Sequence, residues 1–355
     1  MMMRLPASYL EAREAFLAAA DDVGATVDAD LHPLPGREGE QLFVDVASIG
    51  PEGADDVLIV VSGTHGVEGY LGSALQRAHL ASSDIERPGN VLVVFVHALN
   101  PHGFSWVRRV NEDNVDLNRN FIDWSSAPPT NPEYSELADI LVPDDWSAST
   151  QERTLNALVE RAAEVGFERI QEIVTKGQYE HPTGVFHGGT EATWSNRWLH
   201  GFLPGLGRRA RVAVIDVHTG LGPWGHGELI SCDAPDSAEF RRQAEWWGEV
   251  TSLPGGDSVS ADIGGNWQAV LPGLIDAPEI TGIGLEYGTV DGITVLQSLR
   301  ADAVLWASGD PTGPGADDVR AAVRAAFCDD DPEWLALCWE RYRAVVEAAL
   351  GQLTR

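Results

Sequence analysis

Val57-Leu58-Ile59-Val60-Val61-Ser62-Gly63-Thr64-His65-Gly66-Val67-Glu68-Gly69 decides how this chain folds. Five apolar residues in a row, four of them β-branched, leave no polar side chain to face water, so the segment reads as a strand buried on both faces. The run stops in a glycine turn that carries a His and, three residues later, a Glu. In open α/β sheets, ligands gather outside the carboxyl ends of strands, which is where this turn falls.

Working outward, further apolar runs lie at Leu42–Ala47, Val91–Val96, Val212–Val217, Glu228–Ser231 and Ile283–Glu286. Helical patterns at Ala74–Ala81 and Thr154–Val174 alternate with them. Continuous apolar strands separated by helices predict an α/β layered fold with a mixed, largely parallel sheet. The simplest organisation is one domain over residues 1–355, with a surface insertion at about 123–180 and two C-terminal helices at about 316–353.

The 355 residues carry 24 basic and 54 acidic side chains, a net charge of −30. Hydrophobic content of 44% and charged content of 22% are those of a folded globular protein. Nucleic acid and anionic membrane surfaces both demand a basic footprint, so neither is an expected partner. No run of 18 apolar residues occurs, and the N-terminal stretch reads as an amphipathic helix, so the expected location is cytoplasmic. Cys232, Cys328 and Cys338 lack metal-ligand spacing and read as small buried hydrophobes.

A second strand end repeats the first. Val212–Val217 runs into His218-Thr-Gly-Leu-Gly, with Asp216 two residues earlier and therefore on the same face of a strand. Two His and one Glu at two strand ends match the ligand set of a catalytic zinc that keeps a position for water. Asp216 either holds the ring nitrogen of His218 that is not bound to metal or is a buried strand-end Asp. Between the two strand ends lies Asn100-Pro-His-Gly103, followed by Arg108, Arg109 and Asp116-Leu-Asn118-Arg119-Asn120-Phe121. Arginines in an acidic chain either bind carboxylates and developing oxyanions or pair with the local Glu112, Asp113 and Asp116. Glu286 stands in an otherwise apolar strand, a costly position unless it is paired or functional. His187 and His226 lie in glycine turns and are more often structural. No Gly-x-Ser-x-Gly elbow and no phosphate-binding loop appears.

Taken in order, His65-x-x-Glu68, Asn100-Pro-x-Gly103, Asp116-Leu-Asn118-Arg119-Asn120-Phe121, His218 and Glu286 resemble the zinc carboxypeptidase superfamily. That superfamily includes succinylglutamate desuccinylase and aspartoacylase, and the wording of the motifs is closest to a bacterial domain-of-unknown-function branch of it. The resemblance implies a three-layer α/β/α fold and one zinc per chain held by His65, Glu68 and His218. It also implies Glu286 as the general base and Arg109 as the residue that helps polarise the scissile carbonyl. Asn118 and Arg119 would clamp a substrate carboxylate. The implied reaction is hydrolysis of an amide bond in a small peptide or an N-acyl amino acid. Two departures accompany it. His102 stands where these enzymes usually carry Asp, and no pocket tyrosine can be assigned among Tyr134, Tyr179 and Tyr287.

Overall fold

The computed structural model describes residues 3–260 and 263–355. Its strands are β1 (Thr26–Pro35), β2 (Gln41–Ile49), β3 (Asp56–Val61), β4 (Val91–His97), β5 (Arg211–Trp224), β6 (Gly227–Ser231), β7 (Thr251–Ser252) and β8 (Glu279–Gly288). They form one sheet in the order β1-β2-β4-β3-β5-β8-β6-β7. The β3–β4, β3–β5, β5–β8 and β6–β7 pairs are parallel, and the β1–β2, β2–β4 and β6–β8 pairs antiparallel. The predicted mixed, largely parallel sheet is therefore what forms.

The helices are α1 (Tyr9–Asp22), α2 (Gly69–Ala81), α3 (Pro101–Trp106), α4 (Pro132–Leu141), α5 (Ala148–Val165), α6 (Phe167–Thr175), α7 (Trp194–Gly205), α8 (Ala238–Trp247), α9 (Leu271–Leu274), α10 (Gly292–Ala307), α11 (Ala316–Phe327) and α12 (Pro332–Leu353). They cover both faces of the sheet. Leu58 and Val60 of β3 join one apolar core with Leu71 and Leu75 of α2 and with Trp334 and Val346 of α12. Val57, Ile59 and Val61 point the other way and join Leu199 and Leu203 of α7 and Leu271 of α9. Two dry faces explain why β3 carries no polar residue between Val57 and Val61.

Some expectations need correction. The pattern Thr154–Val174 is not one helix: Gly166, with φ +99°, separates α5 from α6. The weakly periodic stretch after Asp123 contains α4, whose Asn131 side chain accepts from the Tyr134 backbone N–H and caps the helix. Cys328 and Cys338 are buried, but Cys232 is only partly so. Strand β1 gave no apolar run because it lies at the sheet edge, where Val27 and Leu31 stay exposed on either side of Asp28 and Asp30.

Candidate metal centre and active site

The turn after β3 is held against the loop that follows β4. The backbone N–H of Gly66 donates to the Arg109 carbonyl at 3.1 Å, and that of Val67 to the Arg108 carbonyl at 2.8 Å. Any side chain at position 66 would collide with this loop, because a Cβ there would lie 2.0 Å from the Gly103 carbonyl carbon. A glycine at this point is thus a packing requirement. It fixes His65 and Glu68 at the mouth of β3.

Parallel pairing of β3 with β5 brings the end of β3 beside the segment that carries His218, which lies within β5, because this strand runs on through the expected glycine turn to Trp224. His65 Nδ1 lies 2.9 Å from Glu68 Oε1, and His218 Nδ1 lies 2.8 Å from Glu68 Oε2. The two Nδ1 atoms are 3.2 Å apart. Two ligands of a tetrahedral zinc at ~2.1 Å stand roughly 3.4 Å apart, so a modest expansion of this group fits one ion. Among the described residues, His65, Glu68 and His218 form the only group of three or more His, Cys, Asp or Glu arranged to hold a metal.

Both rings are gripped from behind. His218 Nε2 lies 2.7 Å from Asp216 Oδ2, so the Asp on the same strand face does hold the ring. Asp216 is steadied in turn by the Thr64 hydroxyl at 2.8 Å and by the Trp267 indole N–H at 2.6 Å. His65 Nε2 lies 3.2 Å from Asp116 Oδ1. Carboxylates behind both rings leave both Nδ1 atoms for a cation, the arrangement usual around metal-ligating histidines. Asp216 was legible because it shares a strand with His218. Asp116 and Trp267 carried no such signal, since their roles arise from loops brought in from elsewhere.

The electrostatics agree with a cation site. Burial opposes the charge of Glu68, but His65 and His218 outweigh it and hold the carboxyl down at about 2. Burial likewise opposes charge on His218, yet Asp216 and Glu68 push its pKa well above the ordinary value. For Asp116, burial is overcome by Arg109, Arg119 and His65, and its carboxyl lies well below the usual range. Glu286 differs. Burial pushes it up, the nearby negative Glu68 adds to that, and it reaches about 7. Register places Glu286 directly beside His218 on the neighbouring strand, with Oε1 accepting the Leu221 N–H at 2.9 Å.

The arginines separate. Arg109 donates to Glu68 Oε1 at 3.1 Å and to Asp116 Oδ2 at 3.0 Å, at the edge of the cluster. Arg108 is fully buried and turns away to Asp302 at 2.8 Å. Arg119 places Nε and Nη2 on the Thr175 carbonyl at 3.0 and 2.5 Å, and Nη1 on the Asn118 carbonyl at 3.2 Å. Its nearest carboxylate is Asp116, 3.8 Å away. Among the described residues, nothing partners the buried side-chain oxygen of Asn118. Of the three tyrosines, Tyr287 and Tyr134 donate to the distant Cys338 and Val185 carbonyls, whereas Tyr179 donates to the Arg119 carbonyl.

The sequence profile of DUF2817, a protein family of unknown function, matches residues 6–341. The chain belongs to that family. No curated protein matches it. Among solved structures, this DUF2817 member is similar to thrombin-activatable fibrinolysis inhibitor, at 13% identity and a TM-score of 0.51, covering 98% of this chain and 74% of that one. The bovine form of that inhibitor, bound to tick carboxypeptidase inhibitor, matches at 13% identity with a TM-score of 0.50, covering 98% and 97%. A succinylglutamate desuccinylase from Silicibacter sp. TM1040 matches at 13% identity with a TM-score of 0.39, covering 80% and 67%. The fold of this DUF2817 chain is that of the zinc carboxypeptidase superfamily. No helix among the described residues is long and apolar enough to cross a membrane.

Proposed function

We propose that this protein is a zinc-dependent hydrolase of an amide bond next to a free carboxylate, carboxypeptidase-like in its chemistry. The observation that carries the reading is the convergence of His65 Nδ1, Glu68 and His218 Nδ1 on one point, with Asp116 and Asp216 behind the rings. Zinc held there would act as a Lewis acid and bring the pKa of a bound water toward ~7. Glu286, beside His218 and raised to about 7, takes the proton of the attacking water and returns it to the leaving nitrogen. Arg109, whose guanidinium borders Glu68, stabilises the oxyanion that develops on the carbonyl. Asn118 and Arg119 receive the substrate carboxylate, Arg119 exchanging the Thr175 carbonyl for it.

Blocked peptides with free and with amidated C-termini, assayed beside N-acyl amino acids on zinc-loaded protein, test this. Hydrolysis confined to substrates with a free carboxylate is expected, and blocked peptides are expected to be preferred to N-acyl amino acids. The reverse preference would make the protein a deacylase of the desuccinylase type. No turnover of any substrate at full zinc occupancy would leave a metal-binding protein without catalysis. Arg119→Ala should raise KM on free-carboxylate substrates by roughly 10–100-fold, the value of a charged hydrogen bond. An equal loss on amidated substrates would make Arg119 an anchor for the end of α6.

A further inference from the structure

Arg109 and Arg119 share more than a loop. The Cζ of Arg109 lies 5.5 Å from the centre of the Phe186 ring, and that of Arg119 lies 5.4 Å from the same centre. Both distances fall within the roughly 6 Å over which the electron-rich face of an aromatic ring attracts a cation. One carboxylate also serves both: Asp116 is 3.0 Å from Arg109 Nε and 3.8 Å from Arg119 Nη1. The same carboxylate stands behind His65 at 3.2 Å. Three groups that carry or can gain positive charge thus draw on Asp116 at once. Burial lowers Arg119 from its ordinary pKa, Asp116 opposes that, and the like charge of Arg109 adds to it. The Phe186 ring attracts both guanidiniums without bringing a negative charge of its own. It therefore leaves their charge for a ligand, as a further carboxylate would not.

Phe186 is held where it is. Its φ of +54° lies in the left-handed region, which a residue with a Cβ adopts unfavourably. Such conformations persist where the surroundings over-determine them, and they gather at functional sites. Here the Phe186 carbonyl accepts from the Gln178 N–H at 3.2 Å, and the Gly188 N–H donates to the Gln178 carbonyl at 2.8 Å. On the residues either side, the Val185 carbonyl accepts from the Tyr134 hydroxyl at 2.9 Å and the His187 carbonyl from the Asp116 N–H at 2.8 Å. That last bond ties the segment carrying the ring to the loop carrying both arginines.

We propose that Phe186 is a positioning residue: its ring holds the guanidiniums of Arg109 and Arg119 in one fixed relation. The group that meets the oxyanion and the group that receives the substrate carboxylate are then set together by a single side chain. The parts given to the two arginines rest on the hydrolase reading; the support that the ring lends to Arg119 does not.

Phe186→Leu keeps an apolar side chain and removes the aromatic face, whereas Phe186→Tyr keeps that face. On zinc-loaded protein, the leucine variant should raise KM for a peptide with a free C-terminus by roughly 2–30-fold, the range of a cation–π contact. It should lower kcat by a similar factor, and the tyrosine variant should stay near wild type. In an Arg119→Ala background, Phe186→Leu should leave KM unchanged and still lower kcat, because the guanidinium through which KM responds is gone. Equal losses in the leucine and tyrosine variants, or a KM effect that persists without Arg119, overturn the proposal and make Phe186 a packing residue. If Phe186→Leu does not fold, Phe186→Gly removes the ring at a position whose φ suits glycine, and the same outcomes apply.

Calorimetric binding of N-acetylglycine to the zinc-loaded protein separates the two readings, because it needs Arg119 and no turnover. Binding weakened in Phe186→Leu and restored in Phe186→Tyr, without hydrolysis of any substrate, supports the positioning role and defeats the hydrolase reading. Hydrolysis with equal binding by all three proteins defeats the positioning role and keeps the hydrolase. Neither binding nor hydrolysis defeats both.

Discussion

His65 and Glu68 on the turn after β3 and His218 within β5 are aimed at one point by parallel strand pairing, whereas Arg108, Arg109 and Arg119, from a single loop, go three separate ways. One arginine reaches Asp302 on α10, one borders the His65–Glu68–His218 group, and one holds the end of α6. The difference lies in what sets each side chain's direction. On a strand or on the turn that closes it, sheet register and alternation fix it locally. In a loop, long flexible side chains take whichever acceptor the rest of the fold presents.

This contrast can be broken most forcefully at Glu286. Glu286→Gln should lower kcat by ~10²–10⁴-fold while zinc remains bound, because the amide keeps the shape and loses proton acceptance. Turnover within about threefold of wild type at full zinc content, short of any base effect, would remove this strand residue from the chemistry. Next comes Arg108→Ala, which removes the ion-pair partner of the buried Asp302 and the cation stacked on the Trp306 ring. Breaking a buried pair from one side costs ~3–5 kcal/mol, so the urea midpoint should fall steeply with zinc stoichiometry intact. A midpoint unchanged from wild type would show that the arginine loop is not anchored in this way.

Asp216→Asn sharpens the comparison on the strand side. The amide no longer fixes the His218 ring with a full charge, and metal affinity should drop roughly 10–100-fold. Titration with a competing chelator measures it, and unaltered affinity would make Asp216 a packing residue. The smallest effect is in protons. Without metal, His218 is held well above its ordinary pKa by Asp216 and Glu68, so it is charged at pH 7. A ligating ring must be neutral, so zinc binding at pH 7 should release about one proton from it. Glu286, near 7, should release a further fraction as the cation favours its charged form. Calorimetry in buffers of different ionisation enthalpy counts them. Zinc binding without proton release would show that the His218 ring is neutral beforehand.

The positions of the central strands and the residues of the His65–Glu68–His218 group were legible along the chain, for identifiable reasons. Val57–Val61 admits no polar residue because both of its faces are covered, and such a run is visible in any short window. His65, Glu68 and His218 stand at the ends of such runs. The break between α5 and α6 at Gly166 escaped because apolar periodicity continues through it. Strand β1 escaped because an edge strand with exposed faces needs no apolar pattern.

The amino-acid sequence by itself determined where the apolar strand runs lie, that a glycine turn closes β3, and that two His and a Glu follow such runs, because hydrophobic patterning and backbone freedom are local properties. Only the tertiary structure decided that Asp116 rather than a residue near His65 in the chain holds its ring, that Trp267 steadies Asp216, and that Arg119 faces the Thr175 carbonyl. It also decided that His218, Glu286 and Glu228 form one row. Those partners are up to 68 residues apart along the chain in the case of His218 and Glu286, and the strand order β5-β8-β6 makes them neighbours. Long-range pairing chooses the partners that desolvated polar groups must have, and no short window of sequence records that choice.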